Sequence, residues 1–297
     1  MRTMVFRRLM KQALTRATRA SILLVALSLA WSGTLAPAEG QDEREGIKLT
    51  PVGSYASGIF NAGGAEIVAH DPKTQRLFVI NAQAATVDVL TIADPALITR
   101  VAQIDVKPYG AVANSVAVDK GVVAIAVENA VKTDPGKVVF FSAKDLRVLN
   151  ALQVGALPDM VTFSPDGNWL LVANEGEPND AYTIDPEGTV SIIQMKGDVT
   201  KLTQDDVRTV DFRAFDAGPL PTGIRIFGPN AKVSQDMEPE YITVSQDSKT
   251  AYVTLQENNA IAAIDIKRGV ITKLTGLGVK DHSKALWAIL MLELWNY

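Results

Sequence analysis

The sequence predicts an all-β chain folded as a β-propeller. Three observations lead there: a repeated plan of short apolar strands, turns rich in Asp, Gly, Pro and Asn between them, and a near-regular repeat spacing. Four segments share the plan: AEIVAHDPKTQRLFVINAQ (65–83), NSVAVDKGVVAIAVEN (114–129), PDMVTFSPDGNWLLVANEG (158–176) and PEYITVSQDSKTAYVTLQEN (239–258). In each, an apolar strand opened by a polar or acidic residue meets an Asp-containing turn, and a second apolar strand then ends in a polar cluster. A third strand follows every time, as ATVDVLTI, GKVVFFSA, GTVSIIQM and NAIAAIDI.

The repeat starts, taken at Glu66, Ser115, Asp159 and Glu240, lie 49, 44 and 81 residues apart. The first two intervals suit a four-stranded blade of about 40–45 residues. The third leaves room for an insertion over about residues 198–235, in which Thr203 to Asp206 reads as a helix N-terminus. One blade cannot bury both of its faces, so the repeats must stack around an axis. A β-sandwich would share the short strands but not the internal period. Four clear repeats predict an incomplete ring of about four to five YVTN- or WD40-like blades, with any weak blade falling at 47–63 or in the insertion.

The two ends read differently. Residues 1–38 hold six basic residues and no acid, an apolar run from Ser21 to Leu35, and the small residues Ala36-Pro37-Ala38. That is the layout of a cleaved signal peptide, and its apolar run is shorter than the roughly 20 residues that cross a bilayer. It predicts a secreted, periplasmic or cell-surface protein with no membrane span in the mature chain. Arg7-Arg8 leaves twin-arginine export open beside the general route. Residues 284–297 (KALWAILMLELWNY) have helical apolar spacing, either as a short closing helix or as a tail unrelated to the repeats.

Composition narrows the chemistry. With 297 residues, 47% apolar and 21% charged, the chain has an ample core, which excludes wholesale disorder. Without the six leader bases the balance is 23 basic against 33 acidic residues, or −10, which argues against a nucleic-acid partner. No Cys and only two His exclude disulfides, thiolate catalysis, Cys- or His-rich zinc sites and a His-plus-Asp dizinc phosphatase centre. Any metal here needs oxygen ligands. There is no G-x-S-x-G elbow, no phosphate-binding P-loop, and no G-x-G-x-x-G after a strand.

In a propeller, corresponding loops of successive blades converge near the axis. The second strands end at Gln83, Glu128, Glu175 and Glu257, and the repeat starts add Glu66, Ser115, Asp159 and Glu240. Converging carboxylates repel unless they are protonated or bridged by a cation, and oxygen ligands favour Ca²⁺ or Mg²⁺ over zinc or copper. The densest acidic loop, 174–188, carries Glu175, Glu177, Asp180, Asp185 and Glu187 without the residue order of an EF-hand. The candidate calcium ligands are therefore Asp159, Glu175, Glu177, Asp180, Glu240 and Glu257; solvated loop acids and strand caps are the competing reading. Asp236-Met-Glu-Pro-Glu240 adds acids before a strand, with Pro239 holding Glu238 extended. For phosphoester chemistry, Arg225, Lys137 and Lys280 are candidate cations, and Arg225, Asp281 and His282 form a weak catalytic set. His70, before Asp71-Pro72, reads as a turn residue.

The stretches KTDPGKVVFFSA (132–143), VGALPDMVTFSPDGNWLLVANEGEPNDAYTIDPEGTVSII (154–193), RIFGPNAKVSQDMEPEYITVSQDSKTAYVTLQENNAIAAIDI (225–266) and LGVKDHS (277–283) resemble the choice-of-anchor I family. The likeness spans about residues 47–283, and ANEGEPND and DMEPEYI are its specific motifs. It implies a bacterial exported propeller related to mesenchyme-specific cell-surface glycoproteins, a group whose members often carry the label alkaline phosphatase. After Ser283 the sequence departs from the family pattern, which implies a ring cut short. Residues and resemblance together lead to an exported binding or cell-surface-associated module stabilised by calcium. A calcium-dependent phosphomonoesterase is the alternative, and a nonfunctional truncated product is a third. Whether the ligand is a small molecule, a phosphoester or a surface component stays open.

Overall fold

Among the described residues sixteen strands form, because the apolar runs are rich in β-branched and aromatic residues and are punctuated by turn formers. The computed structural model describes residues 48–279; the expected leader at 1–38, the tail at 284–297, Lys280, Asp281 and His282 lie outside the described residues. The strands make four antiparallel four-stranded sheets, each a meander in chain order. The first sheet holds β1 (Val68–Asp71), β2 (Arg76–Asn81), β3 (Thr86–Thr91) and β4 (Thr99–Asp105). The second holds β5 (Val112–Asp119), β6 (Val122–Glu128), β7 (Pro135–Ser142) and β8 (Val148–Ala156). β9 (Pro158–Phe163), β10 (Trp169–Asn174), β11 (Thr189–Gln194) and β12 (Val207–Val210) form the third. The fourth consists of β13 (Pro239–Val244), β14 (Thr250–Leu255), β15 (Ala260–Asp265) and β16 (Val270–Gly276).

The segment that the repeat spacing sets aside as an insertion, 198–235, supplies β12, the outer strand of the third sheet. Thr203 does open a turn, a 3-10 helix over Gln204–Asp206, and the Asp206 carboxylate accepts from the Thr203 backbone N–H at 2.9 Å. Two more 3-10 turns lie there, Val199–Lys201 and Arg213–Phe215, and a single α-helical turn, α1 (Val233–Asp236), closes the segment. No strand forms between 48 and 63, so that stretch holds no further blade.

Side chains on a strand alternate between faces, and the two middle sheets are apolar on both. On β6, Val123, Ile125 and Val127 enter one buried layer with Phe78, Ile80, Val87 and Val89 of the first sheet. Ala124 and Ala126 point the opposite way, into a layer with Leu170, Val172 and Ile193 of the third sheet. The third sheet repeats the device: Leu171, Ala173, Val190 and Ile192 meet Val253, Leu255, Ala262 and Ile264 of the fourth. Three buried layers thus join sheets one to two, two to three and three to four. Among the described residues, no such layer joins the fourth sheet back to the first.

The first strands lie innermost: β1 packs beside β5, β5 beside β9, and β9 beside β13. This is a propeller-like succession of blades, and it gathers one end of every sheet into a common region. Leu171 is fully buried between sheets three and four, whereas Tyr252 is 46% exposed on the far face of the fourth. Leu171→Ala is expected to destabilise the protein by about 2–5 kcal/mol through lost burial and a residual cavity, and Tyr252→Thr by about 0.5 kcal/mol or less. Urea unfolding of both variants checks the contrast.

Candidate functional site

Antiparallel pairing puts the start of each first strand beside the end of the second. Val112 faces Glu128, Pro158 faces Asn174, and Pro239 faces Leu255. All three pairs sit next to a register shift, at Ala113/Ser115, Ala173/Asn174 and Pro239/Ile242. A bulge sets two residues against one and re-aims the side chains that follow. The acids just beyond these pairs therefore come from three sheets to one end of the innermost strands.

Glu175, Glu238 and Glu257 form the centre of this group, each offering a carboxylate oxygen, with all three oxygens within 4.8 Å of one another. Glu175 follows β10, and its backbone N–H donates to the Leu157 carbonyl at 2.8 Å. Just before it, buried Asn174 donates to the hydroxyls of Thr189 (3.1 Å) and Ser191 (2.9 Å), tying the strand end to β11. Glu238 precedes β13 and is only 5% exposed. Its backbone N–H donates to Oδ1 of buried Asn258 at 3.1 Å, and Asn258 Nδ2 donates to the Arg225 carbonyl at 3.1 Å. Asn258 thereby fixes Glu238 and Glu257 from the same turn. Gly188 lets the acidic loop pass against this region, because a Cβ there would collide with the Met237 carbonyl oxygen.

The electrostatics follow from burial of like charges. Burial first, then the charges of Asp159 and Glu257, push Glu175 up to about 7, against the opposing pull of Lys132. Glu238 rises to about 7 by burial and by the charges of Glu175 and Glu257. Glu240 rises to about 8 through burial and then through hydrogen bonding to Glu257. Asp159 is raised by burial, with Glu128 adding to it. Among the described residues no side-chain donor reaches the Glu238 carboxylate, and Glu257 Oε2 is buried without a partner.

Of the acids expected from the sequence, Glu175 and Glu257 thus belong to the close cluster, with Asp159 and Glu240 perturbing it from beside. Glu177 pairs instead with Lys132, and Asp180 is exposed on the loop. Glu187 is held by Arg213, whose Nε donates to both carboxylate oxygens at 2.8 and 2.9 Å. Asp236 is a structural acid that accepts from the Phe227 N–H at 3.0 Å and from Gly228. Glu66 and Gln83 are exposed, so the first sheet adds no carboxylate to the cluster. Ser115 is buried and accepts the Val161 N–H at 3.2 Å, linking the inner strands of sheets two and three. Arg225 donates from Nε to the Glu257 carbonyl at 2.9 Å and stacks 5.0 Å over the Phe227 ring. Lys137 sits on β7 opposite Val127 and Gln153. His70 is on β1, exposed, one residue before the Asp71 that accepts from Thr74.

Four propeller-like sheets with an acid-lined inner end define the class of protein. The chain belongs to the choice-of-anchor I domain family, whose model matches residues 66–288. Such a domain marks an exported or cell-surface protein, and among the described residues no helix is long and apolar enough to cross a membrane. No curated protein matches the chain. Among solved structures, it is similar to a functionally unknown protein from Desulfotomaculum acetoxidans DSM 771, at 13% identity and a TM-score of 0.50, over 71% of this chain and 57% of that one. It is also similar to a chain of a nidogen/laminin complex, at 14% identity and a TM-score of 0.45, over 73% of this chain and 65% of that one. The chain therefore spans 57% and 65% of the lengths of these two structures.

A carboxyl raised in the folded state stabilises the fold most below its unfolded value of 4.5 and loses that contribution as pH climbs through 7 to 8. Asp166, Asp198, Asp206 and Asp247 shift the other way, each lowered first by a side-chain hydrogen bond, so their contribution is lost only below about 3.8. In chelator, the melting midpoint is expected to fall as pH rises from about 5 to about 8, and Glu240→Gln should flatten that fall. Differential scanning calorimetry across that range is the check.

Proposed function

We propose that this chain is an exported, surface-associated binding module that engages its ligand at the acid-lined end of its sheets and is stabilised there by calcium. The observation that carries the reading is the convergence of Glu128, Asp159, Glu175, Glu238, Glu240 and Glu257 from three sheets on one region. A solvated surface spreads such charges apart, because mutual repulsion and burial both raise the cost of ionising them. Oxygen-only ligands match a hard divalent cation. The absence of a nucleophile elbow and of any thiol in the sequence, with only two histidines, supports binding over catalysis.

A second reading, a calcium-dependent phosphomonoesterase, is favoured by one feature. Arg225 and Glu257 line the same cavity of about 550 Å³, together with Gln256, Asn259 and Gly278, so a cationic group stands beside one acid of the cluster. A metal to polarise the phosphoryl group and a guanidinium to steady its oxygens are the parts such chemistry needs.

Two measurements separate these readings. Calcium added to chelator-stripped protein is expected to raise the melting midpoint, since a ligand at a hundredfold excess over its Kd adds about 2.7 kcal/mol to the native state; an unchanged midpoint at millimolar calcium removes the stabilising role. In an assay with p-nitrophenyl phosphate and calcium, no turnover is expected. Turnover that disappears with EDTA and with Arg225→Ala would establish the esterase instead.

A further inference from the structure

We propose that one calcium ion is held between Glu175, Glu238 and Glu257 and acts as a staple between the third and fourth sheets. This rests on the reading that the acid-lined end takes a cation, and it goes further by naming the ligands and the mechanical consequence.

Spacing is the first support. Two oxygens bound to one calcium at about 2.4 Å can be at most about 4.8 Å apart, and the three carboxylate oxygens meet that limit pairwise. The second support is independent of proximity: among the described residues, one enclosed oxygen of the cluster has no hydrogen-bond partner and one buried carboxylate receives no side-chain donor. Glu238 is 5% exposed, and no described side chain donates to its carboxylate; Glu257 Oε2 is fully enclosed and has no hydrogen-bond partner. Buried carboxylates are ordinarily paired or metal-bound, because desolvating an uncompensated charge is costly. Among the described residues, neither Lys132 nor Arg225 forms an ion pair with the three carboxylates. Lys132 pairs with Glu177, and Arg225 lies over Phe227 with its Nε on the Glu257 carbonyl.

The donor set is three carboxylates with no nitrogen or sulfur, which selects a hard ion. Each Glu is borne on a loop or strand end rather than in a rigid octahedral frame, and each is able to bind through one oxygen or two. Calcium accepts that irregularity, whereas magnesium demands near-ideal octahedral geometry and keeps most of its water.

Connectivity then dictates the effect. Glu175 leaves β10 of the third sheet, while Glu238 enters β13 and Glu257 follows β14 of the fourth. An ion shared among them joins residues 63 and 82 positions apart in sequence and closes the polar end of a junction whose interior is otherwise apolar. Its loss leaves Leu171, Val253 and Leu255 to hold the two sheets against carboxylate repulsion.

The test compares chelator-stripped wild type with Glu238→Gln, Glu257→Gln, Glu177→Gln and Asp180→Asn. Isothermal calorimetry and melting are run with calcium chloride alone, and with magnesium chloride at equal concentration. One calcium per chain is expected in wild type, Glu177→Gln and Asp180→Asn, with affinity at least ~10-fold weaker in Glu238→Gln and Glu257→Gln. Those two variants should melt at or above the wild-type temperature without metal, since each removes a repelling charge; this separates lost binding from lost folding. Calcium should also slow amide exchange at 174–176 and 257–258 in wild type, leaving β1 to β4 unchanged. Failure of wild type to bind calcium would overturn the staple together with the calcium-stabilised reading. Binding that survives in Glu238→Gln and Glu257→Gln but fails in Glu177→Gln or Asp180→Asn would overturn the staple alone. A magnesium response equal to that of calcium would overturn the choice of ion.

Discussion

The two-sided apolar character of the middle sheets is the constraint from which the rest of the structure follows. A sheet with aliphatic side chains on one face is satisfied by a single partner; one with Ile125 and Val127 on one side and Ala124 and Ala126 on the other must be covered twice. The only economical solution is a stack, with each meander pressed between its neighbours. Because every meander enters by its first strand, stacking in a constant sense sets β1, β5, β9 and β13 side by side. Strand order within a sheet is local, but the meeting of strand ends from different sheets is a product of this burial.

That burial has an electrostatic consequence at one end. Hydrophobic packing draws Glu175, Glu238 and Glu257 together although their charges repel, and removes water that would have screened them. Many apolar contacts over three layers set the geometry, and a few carboxylates adjust their ionisation to it. Protons and divalent cations are the two available means of neutralisation, and they compete for the same oxygens. A site built this way is held by the scaffold on several sides: Asn258 grips the approach to Glu238, Asn174 anchors the strand before Glu175, and Leu157 receives the Glu175 amide. Choice-of-anchor I membership marks this scaffold as that of an exported or cell-surface protein.

Much of the site was legible from strand boundaries. Reading the repeat as a blade makes Asp159 and Glu240 strand starts and Glu175 and Glu257 strand ends; of these four, Glu175 and Glu257 lie in the close cluster, with the charges of Asp159 and Glu240 beside it. Glu238 was visible only as an acid beside Pro239. Its place in the cluster depends on the register shift between Pro239 and Ile242, which no periodicity reveals. Glu177 and Asp180 looked equivalent to Glu175 by density of charge. Yet a loop acid follows its nearest cation or faces solvent, and so Glu177 goes to Lys132 and Asp180 outward. The fourth strand of the third sheet was hidden for a related reason: β12, with the sequence VRTV, is too short and too polar to announce itself until β11 supplies its hydrogen bonds.

By itself the sequence determined the first three strands of each repeat, the blade-sized spacing of the first repeats and the acidic character of the strand ends, because alternation, turn chemistry and repeat spacing act over a few residues. Only the tertiary structure decided which acids meet. Residues 63 and 82 positions apart are brought within one ion's reach by packing between sheets and by bulges, and neither leaves a trace in local pattern. The physical division is one of range: backbone conformation is chosen by neighbours along the chain, whereas charge proximity is chosen by whatever apolar surfaces elsewhere must be buried.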